Sequence, residues 1–215
     1  MPTSLKKISF LDGRLVVIVD REVLGGRDPA AVAEAAIKGG ADCIQWRDKK
    51  APDAEFFTVA QRLRSLTRQK GTLFVVNDRV AVAMLVEADG VHLGQEDLPL
   101  QEARRLVGPA MLIGRSTHSL AQAQEAQSQG ADYIGVGPIF STPTKPGTPA
   151  VGIDLIRHIK PAIQIPWVAI GGIDPKTLPL VSSAGSTRVA VVRAVTGAAD
   201  PESAARALKT QLLSV

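Results

Sequence analysis

Cysteine is all but missing: Cys43 stands alone among 215 residues. A single thiol forms no disulfide within the chain and builds no cysteine-based zinc cage. Aromatic residues are few, at 4%, and there is no basic stripe, so nucleic acid is a poor fit as a partner. No apolar run approaches the ~20 residues needed to cross a bilayer. The glycine-rich dinucleotide turn expected after a first strand is missing as well, because Asp20-Arg21-Glu22-Val23-Leu24-Gly25-Gly26 lacks its spacing. A large charge of either sign is also lacking. The net charge is +4 and the pI near 9.4, a modest excess that suits a small anionic substrate. Lys6 and Lys7 precede an apolar stretch and so resemble a signal peptide superficially. That stretch, residues 15–19, is short and ends in Asp20, so it reads as a buried strand in a cytoplasmic protein.

What is present is ordinary for a folded globular chain: 45% apolar and 21% charged residues. The dominant pattern is alternation. Short Val-, Ile- and Leu-rich runs at 15–20, 43–47, 73–77, 90–93, 111–116, 133–137, 167–170 and 187–192 read as strands. Alanine-rich segments at 29–38, 52–69, 80–87, 100–106, 120–129, 153–159, 178–183 and 202–213 read as helices. Asp28-Pro29, Ser119, Asp174-Pro175 and Asp200-Pro201 supply helix starts. Gly40-Ala41-Asp42, Gly130-Ala131-Asp132 and Ala88-Asp89-Gly90 each precede a strand, a recurring helix-to-strand turn. Eight βα units in 215 residues predict one (β/α)8 TIM barrel over 1–215, whose usual lower limit is roughly 200 residues. A doubly wound open sheet is the structural rival.

The active site of such a barrel lies at the C-terminal ends of its strands. After the second strand, Gln45, Arg47 and Lys49 fall on one face, with Ile44 and Trp46 on the other. An arginine fork beside a lysine suits a phosphate or diphosphate, and a solvated strand end with surface ion pairs is the plainer alternative. Asn77-Asp78 follows the third strand, and His92-Leu93-Gly94-Gln95-Glu96-Asp97 the fourth. Neighbouring strands can bring Asp78 and Asp97 to one spot, where magnesium would bridge carboxylates and phosphate. Alternatively, each aspartate caps the helix that follows it. Ser116 and His118 end the fifth strand. The long loop 138–150 carries Thr142, Pro143, Thr144 and Lys145, and a loop of this length after a strand is more often functional than incidental. Gly171-Gly172 after the seventh strand would offer N–H groups to a second phosphate.

In this order, Gln45-Trp46-Arg47-Asp48-Lys49, Asn77-Asp78, Gly90 to Asp97, Gly114 to His118, Gly135 to Lys145 and Ala169 to Ile173 resemble the thiamine-phosphate synthase family. The likeness runs from about residue 15 to the last helix. It implies a magnesium-dependent transferase that condenses 4-amino-2-methyl-5-pyrimidinylmethyl diphosphate with 4-methyl-5-(2-phosphoethyl)-thiazole. In that family pattern Gln45, Arg47, Lys49 and Asn77 bind the diphosphate, and Asp78 and Asp97 hold Mg²⁺. Ser116 and Lys145 contact the pyrimidine substrate or its diphosphate. Thr142, Pro143, Thr144 and Gly172 surround the thiazole phosphate, with the backbone near Val192 and Arg193 completing the site. The resemblance makes Arg47, Lys49, Ser116 and Lys145 the catalytic set. One departure stands out: the family usually has serine where this chain has Arg193, which either adds a phosphate contact or turns into solvent. The partners expected are small phosphorylated molecules, with no membrane or nucleic acid, and a homo-oligomer is compatible. The rivals are a thiazole tautomerase, in which His118 would be the acid–base residue, a non-catalytic phosphate-binding barrel, and a phosphoribosyl isomerase.

Overall fold

In the computed structural model, which describes residues 12–144 and 147–214, the apolar runs become eight parallel strands. These are β1 Leu15–Asp20, β2 Cys43–Arg47, β3 Leu73–Asn77, β4 Gly90–Leu93, β5 Leu112–Thr117, β6 Tyr133–Val136, β7 Trp167–Ile170 and β8 Val189–Val191. Each pairs with the next and β8 returns to β1, closing the barrel. Between and after them lie α1 Pro29–Lys38, α2 Asp53–Lys70, α3 Val80–Leu85, α4 Leu100–Val107, α5 Leu120–Ser128, α6 Asp154–Ala162, α7 Leu178–Ser183, α8 Arg193–Thr196 and α9 Pro201–Leu213. Strands such as β1, β3 and β7 are nearly apolar throughout because helices cover one face and the barrel interior fills the other, while β2, β4 and β5 admit polar residues toward the cavity. In β1 every residue is buried.

Two apolar layers follow from this arrangement. Val16, Ile18, Cys43, Val75, Leu112, Tyr133, Val168 and Ala190 fill the barrel. A larger layer, including Trp46, Phe56, Leu63, Phe74 and Ile134, packs strands against helices. Cys43 belongs to the inner layer, and burial pushes its thiol pKa far up, so it is inert packing.

Three of the four signalled helix starts are capped as expected. Asp28, Ser119 and Asp200 accept hydrogen bonds from Ala31, Gln122 and Ser203 N–H groups at the starts of α1, α5 and α9. Asp174 does not cap a helix: α7 begins at Leu178, and Asp174 instead closes a turn by accepting from the N–H groups of Lys176 and Thr177. The strand expected at 187–192 shortens to Val189–Val191, and the residues after it wind into α8. That helix spans only four residues, too few to leave a periodic signal in the sequence.

The recurring aspartates explain themselves at the N-terminal end of the barrel. Asp42 accepts from Arg14 and Leu15 N–H, Asp89 from Phe74 N–H and Asp132 from Ile113 N–H, at 2.8 to 2.9 Å. Each thus fastens the strand before its own. Each is neutralised by a cation from a helix: Lys209 on Asp42, Arg64 on Asp89 and Arg104 on Asp132. Among the described residues, no helix is long and apolar enough to cross a membrane.

Candidate active site

Inward-facing positions run from apolar at the base of the barrel to polar at its mouth. A cavity of about 450 Å³ follows this gradient, from Val16 and Val168 up to the strand ends. Gln45, Arg47, Asn77 and Ser116 line one side. Thr142, Pro143, Thr144, Gly172, Val192 and Arg193 line the other. The sequence-predicted site residues therefore fall around one space, with four exceptions. Lys49, Asp78 and Asp97 gather beside the mouth rather than in the cavity wall. Lys145 lies outside the described residues.

The alternation predicted for the second strand holds, with Gln45 and Arg47 at the cavity and Ile44 and Trp46 packed outward. Arg47 is held by Asp20, its register partner on β1, in an ion pair. Asp20 is fully buried and also accepts from Glu22 N–H at 2.9 Å. Sequence reasoning treated Asp20 only as the end of a strand. A charged residue closing an otherwise apolar strand at the catalytic end of a barrel was the available signal.

Asp78 and Asp97 do not cap helices. The residues before α3 and α4 are Arg79 and Pro99, and neither helix has a side-chain cap. Asp78 sits in a tight turn with φ of 62°, a left-handed conformation that aspartate tolerates better than most residues. Its N–H donates to His92 O at 2.8 Å, tying the turn to β4. The side chains of Asp78 and Asp97 are in hydrogen-bond contact, and Lys49 forms an ion pair with Asp78. Burial, and then the Asp97 hydrogen bond, raise the Asp78 carboxyl above its ordinary pKa despite Lys49. Burial also acts upward on Asp97, but hydrogen bonds from Asp78 and Gly94 N–H, with the charges of Lys49 and Arg115, carry it below its ordinary value. The Gly94 bond measures 2.6 Å. The contact thus drives the two carboxyls apart, Asp78 upward and Asp97 downward, and their titrations are coupled.

Two touching carboxylates at a cationic rim form a hard oxygen donor set. Among the described residues no cluster of three or more His, Cys, Asp or Glu could hold a metal. Two carboxylates completed by phosphate oxygens and water are nonetheless what magnesium commonly uses. The donor set fits that ion, and relief of the repulsion within the pair would favour its binding.

Deeper in the barrel is a polar chain that motif reading did not assign. His92 shares hydrogen bonds with Tyr133 Oη at 3.1 Å and with Ser116 Oγ at 2.9 Å. Burial raises the Tyr133 hydroxyl well above the ordinary pKa of tyrosine, keeping it neutral. Gly114 makes room for this chain, since a Cβ there would lie 2.2 Å from the Tyr133 ring and 2.5 Å from His92 Nδ1. His118 also lines the cavity, and its Nδ1 is engaged by Gly137 O.

Gly171 and Gly172 have φ of 101° and 64°. A Cβ on Gly171 would lie 2.4 Å from Pro138 Cβ, and one on Gly172 2.6 Å from Phe140 Cβ. The glycine pair therefore lets the loop after β6 pack down on β7, where Ile139 and Phe140 donate to Ile170 O and Gly171 O. That contact seats Thr142 and Thr144 over the cavity. Among the described residues, the buried Thr144 Oγ1 has no hydrogen-bond partner.

The chain and its fold are similar to known proteins. A profile described as thiamine monophosphate synthase matches residues 15–195. A thiamine-phosphate synthase of Synechococcus sp. (strain WH7803) is 50% identical over 206 residues, covering 95% of this chain and 58% of the relative. The thiamine-phosphate synthase of Chloroflexus aurantiacus is 48% identical and covers 96% of this chain and 95% of its own. A solved thiamine phosphate pyrophosphorylase from Pyrococcus furiosus superimposes with a TM-score of 0.87 at 37% identity, covering 98% of each chain. The chain spans little more than half the length of several curated relatives it matches. None of the three proteins named here is an isomerase or a non-catalytic binding protein. With a profile match over most of its length and relatives near 50% identity, the chain belongs to the thiamine monophosphate synthase family.

Proposed function

We propose that this barrel is a thiamine-phosphate synthase: it joins 4-amino-2-methyl-5-pyrimidinylmethyl diphosphate to 4-methyl-5-(2-phosphoethyl)-thiazole and releases diphosphate. The observation that carries the reading is the cluster at the mouth. Lys49 is paired with Asp78, Asp78 touches Asp97, and Arg47 and Gln45 stand on the adjoining cavity wall. This is a cationic and metal-ready rim beside a cavity whose opposite wall carries Thr142, Thr144, Gly172 and Arg193.

The chemistry asks little of acid–base groups. The C–O bond to diphosphate breaks, a pyrimidine cation forms, and the thiazole nitrogen supplies the new C–N bond. Arg47, Lys49, Gln45 and Asn77 meet the negative charge that grows on the leaving diphosphate. Ser116, oriented by His92, touches the pyrimidine substrate. Thr142, Pro143, Thr144, Gly172, Val192 and Arg193 hold the thiazole phosphate so that its nitrogen faces the reacting carbon. Lys145, by family resemblance, joins the diphosphate side. Asp78 and Asp97 would hold magnesium, which when bound supplies further neutralisation of the diphosphate. A cytoplasmic location and small phosphorylated substrates, without nucleic acid, belong to the same reading.

The test is product formation by the purified chain. Diphosphate and thiamine phosphate appear together, require both substrates, and stop when magnesium is chelated. Conversion of a thiazole phosphate to its isomer without the pyrimidine substrate would contradict the proposal, as would magnesium-independent turnover.

A further inference from the structure

A lysine on a short exposed loop is a poor fixed charge. Lys49 is about half exposed, and an ion pair of that exposure does little by itself to hold a long side chain in place. Something else must bring the loop 48–51 to the Asp78 turn. The residue that does so is Arg79, next in sequence to Asp78.

The Arg79 guanidinium donates to Asp48 O at 3.2 Å and Ala51 O at 2.6 Å, the two carbonyls that bracket Lys49. Its other terminal nitrogen pairs with Asp53 at 2.5 Å. The guanidinium lies over the Phe56 ring, 4.3 Å from its centroid. The planar fork, the stacking face and both terminal nitrogens are thus used inside the protein. Arg79 does not line the cavity. The loop is tied from its other side by Asp48, whose carboxylate accepts from Lys50 N–H, Ala51 N–H and Arg21.

We propose that Arg79 is a positioning residue for diphosphate binding: it clamps the main chain on both sides of Lys49 to the turn that carries Asp78. One side chain thereby sets the distance between the half-exposed Lys49 and the Asp78 carboxylate it pairs with. The inference rests on the proposed diphosphate role of Lys49 and Asp78.

The experiment is calorimetric titration of the folded chain with inorganic diphosphate in the presence of magnesium, with KM measured for each substrate. Arg79→Gln removes the clamp. Arg79→Lys keeps charge and length but cannot bind both carbonyls and stack, and it stands in should the glutamine variant fail to fold. Each is expected to weaken diphosphate binding on the order of tenfold and to raise the KM for the diphosphate substrate, leaving the KM for the thiazole phosphate unchanged. In a Lys49→Ala background, Arg79→Lys should add almost nothing, because it acts through Lys49. Unchanged diphosphate binding in a folded variant overturns the proposal. So does an equal loss for both substrates, or a full additional loss in the Lys49→Ala background. Failure of the unsubstituted chain to bind diphosphate would instead overturn the functional reading.

Discussion

Asp20 at the end of β1 holds the guanidinium of Arg47 at the end of β2, its direct neighbour in the barrel register. The carboxylate is fully buried and the arginine lines the cavity. A buried carboxylate without its cation costs about 3–5 kcal/mol. Arg47→Ala therefore disturbs folding as well as binding, and Arg47→Lys is the better probe. It keeps the charge, loses the fork, and should raise the KM for the diphosphate substrate while sparing the thiazole phosphate. Asp20→Asn should give a smaller effect in the same direction. Equal losses for the two substrates would contradict the placement of Arg47 on the diphosphate side.

Removing either member of the acidic pair tests the metal site. Asp78→Ala and Asp97→Ala should each cut turnover by about 100-fold or more while the fold survives, since both side chains sit at the rim. Circular dichroism checks the fold, and magnesium titration of the activity reads the affinity. Ordinary rates in both variants would refute a metal role.

His92 and Ser116 should behave as one unit. Ser116→Ala and His92→Leu each lose the hydrogen bond that fixes the hydroxyl. His92→Leu also removes the hydrogen bond to Tyr133 Oη, at about 1 kcal/mol of stability. The double variant should lose little more turnover than the worse single one. Additive losses, measured under saturating substrates, would mean that His92 does not act through Ser116.

Asp48 gives a pH signature in stability. Burial acts to raise its pKa, but hydrogen bonds from Lys50 N–H, Arg21 and Ala51 N–H carry it below the ordinary 3.8. A group lowered on folding stabilises above its unfolded pKa, and the gain is lost as pH falls through the folded value. Asp48→Asn should therefore lower Tm at pH 7, and the gap to the natural chain should shrink below about pH 4. A gap that widens in acid would show the carboxylate to be destabilising.

The barrel was legible because burial on both faces writes each strand as an unbroken apolar run, as in Leu15–Asp20. The charged rim was legible because its residues cluster just after those runs, as Lys49, Asp78 and Asp97 do. The supporting contacts were not. Asp20, His92 and Tyr133 lie within strands, where sequence spacing places them on a face without naming a partner on another strand. Arg79 was hidden for the same reason, as its partners belong to a loop 28 to 31 positions earlier in the chain. The glycine pair after a seventh strand suggests a phosphate cradle, and packing of the loop after β6 adds a second demand on it. Asp174-Pro175 misled because a proline after an aspartate fits a turn as well as a helix start.

The aspartates at positions 42, 89 and 132 fasten β1, β3 and β5 from the segment leading into the next strand. The floor of the molecule is therefore stitched in couples, β1 with β2, β3 with β4, β5 with β6. Main-chain bonds carry the stitching from couple to couple, since Leu73 N–H donates to Asp42 O and Leu112 N–H to Asp89 O. A chain opened at 108–110 keeps the three carboxylate-to-N–H bonds within its fragments, while the Lys209–Asp42 and Arg104–Asp132 ion pairs span the break and would draw the two pieces back together.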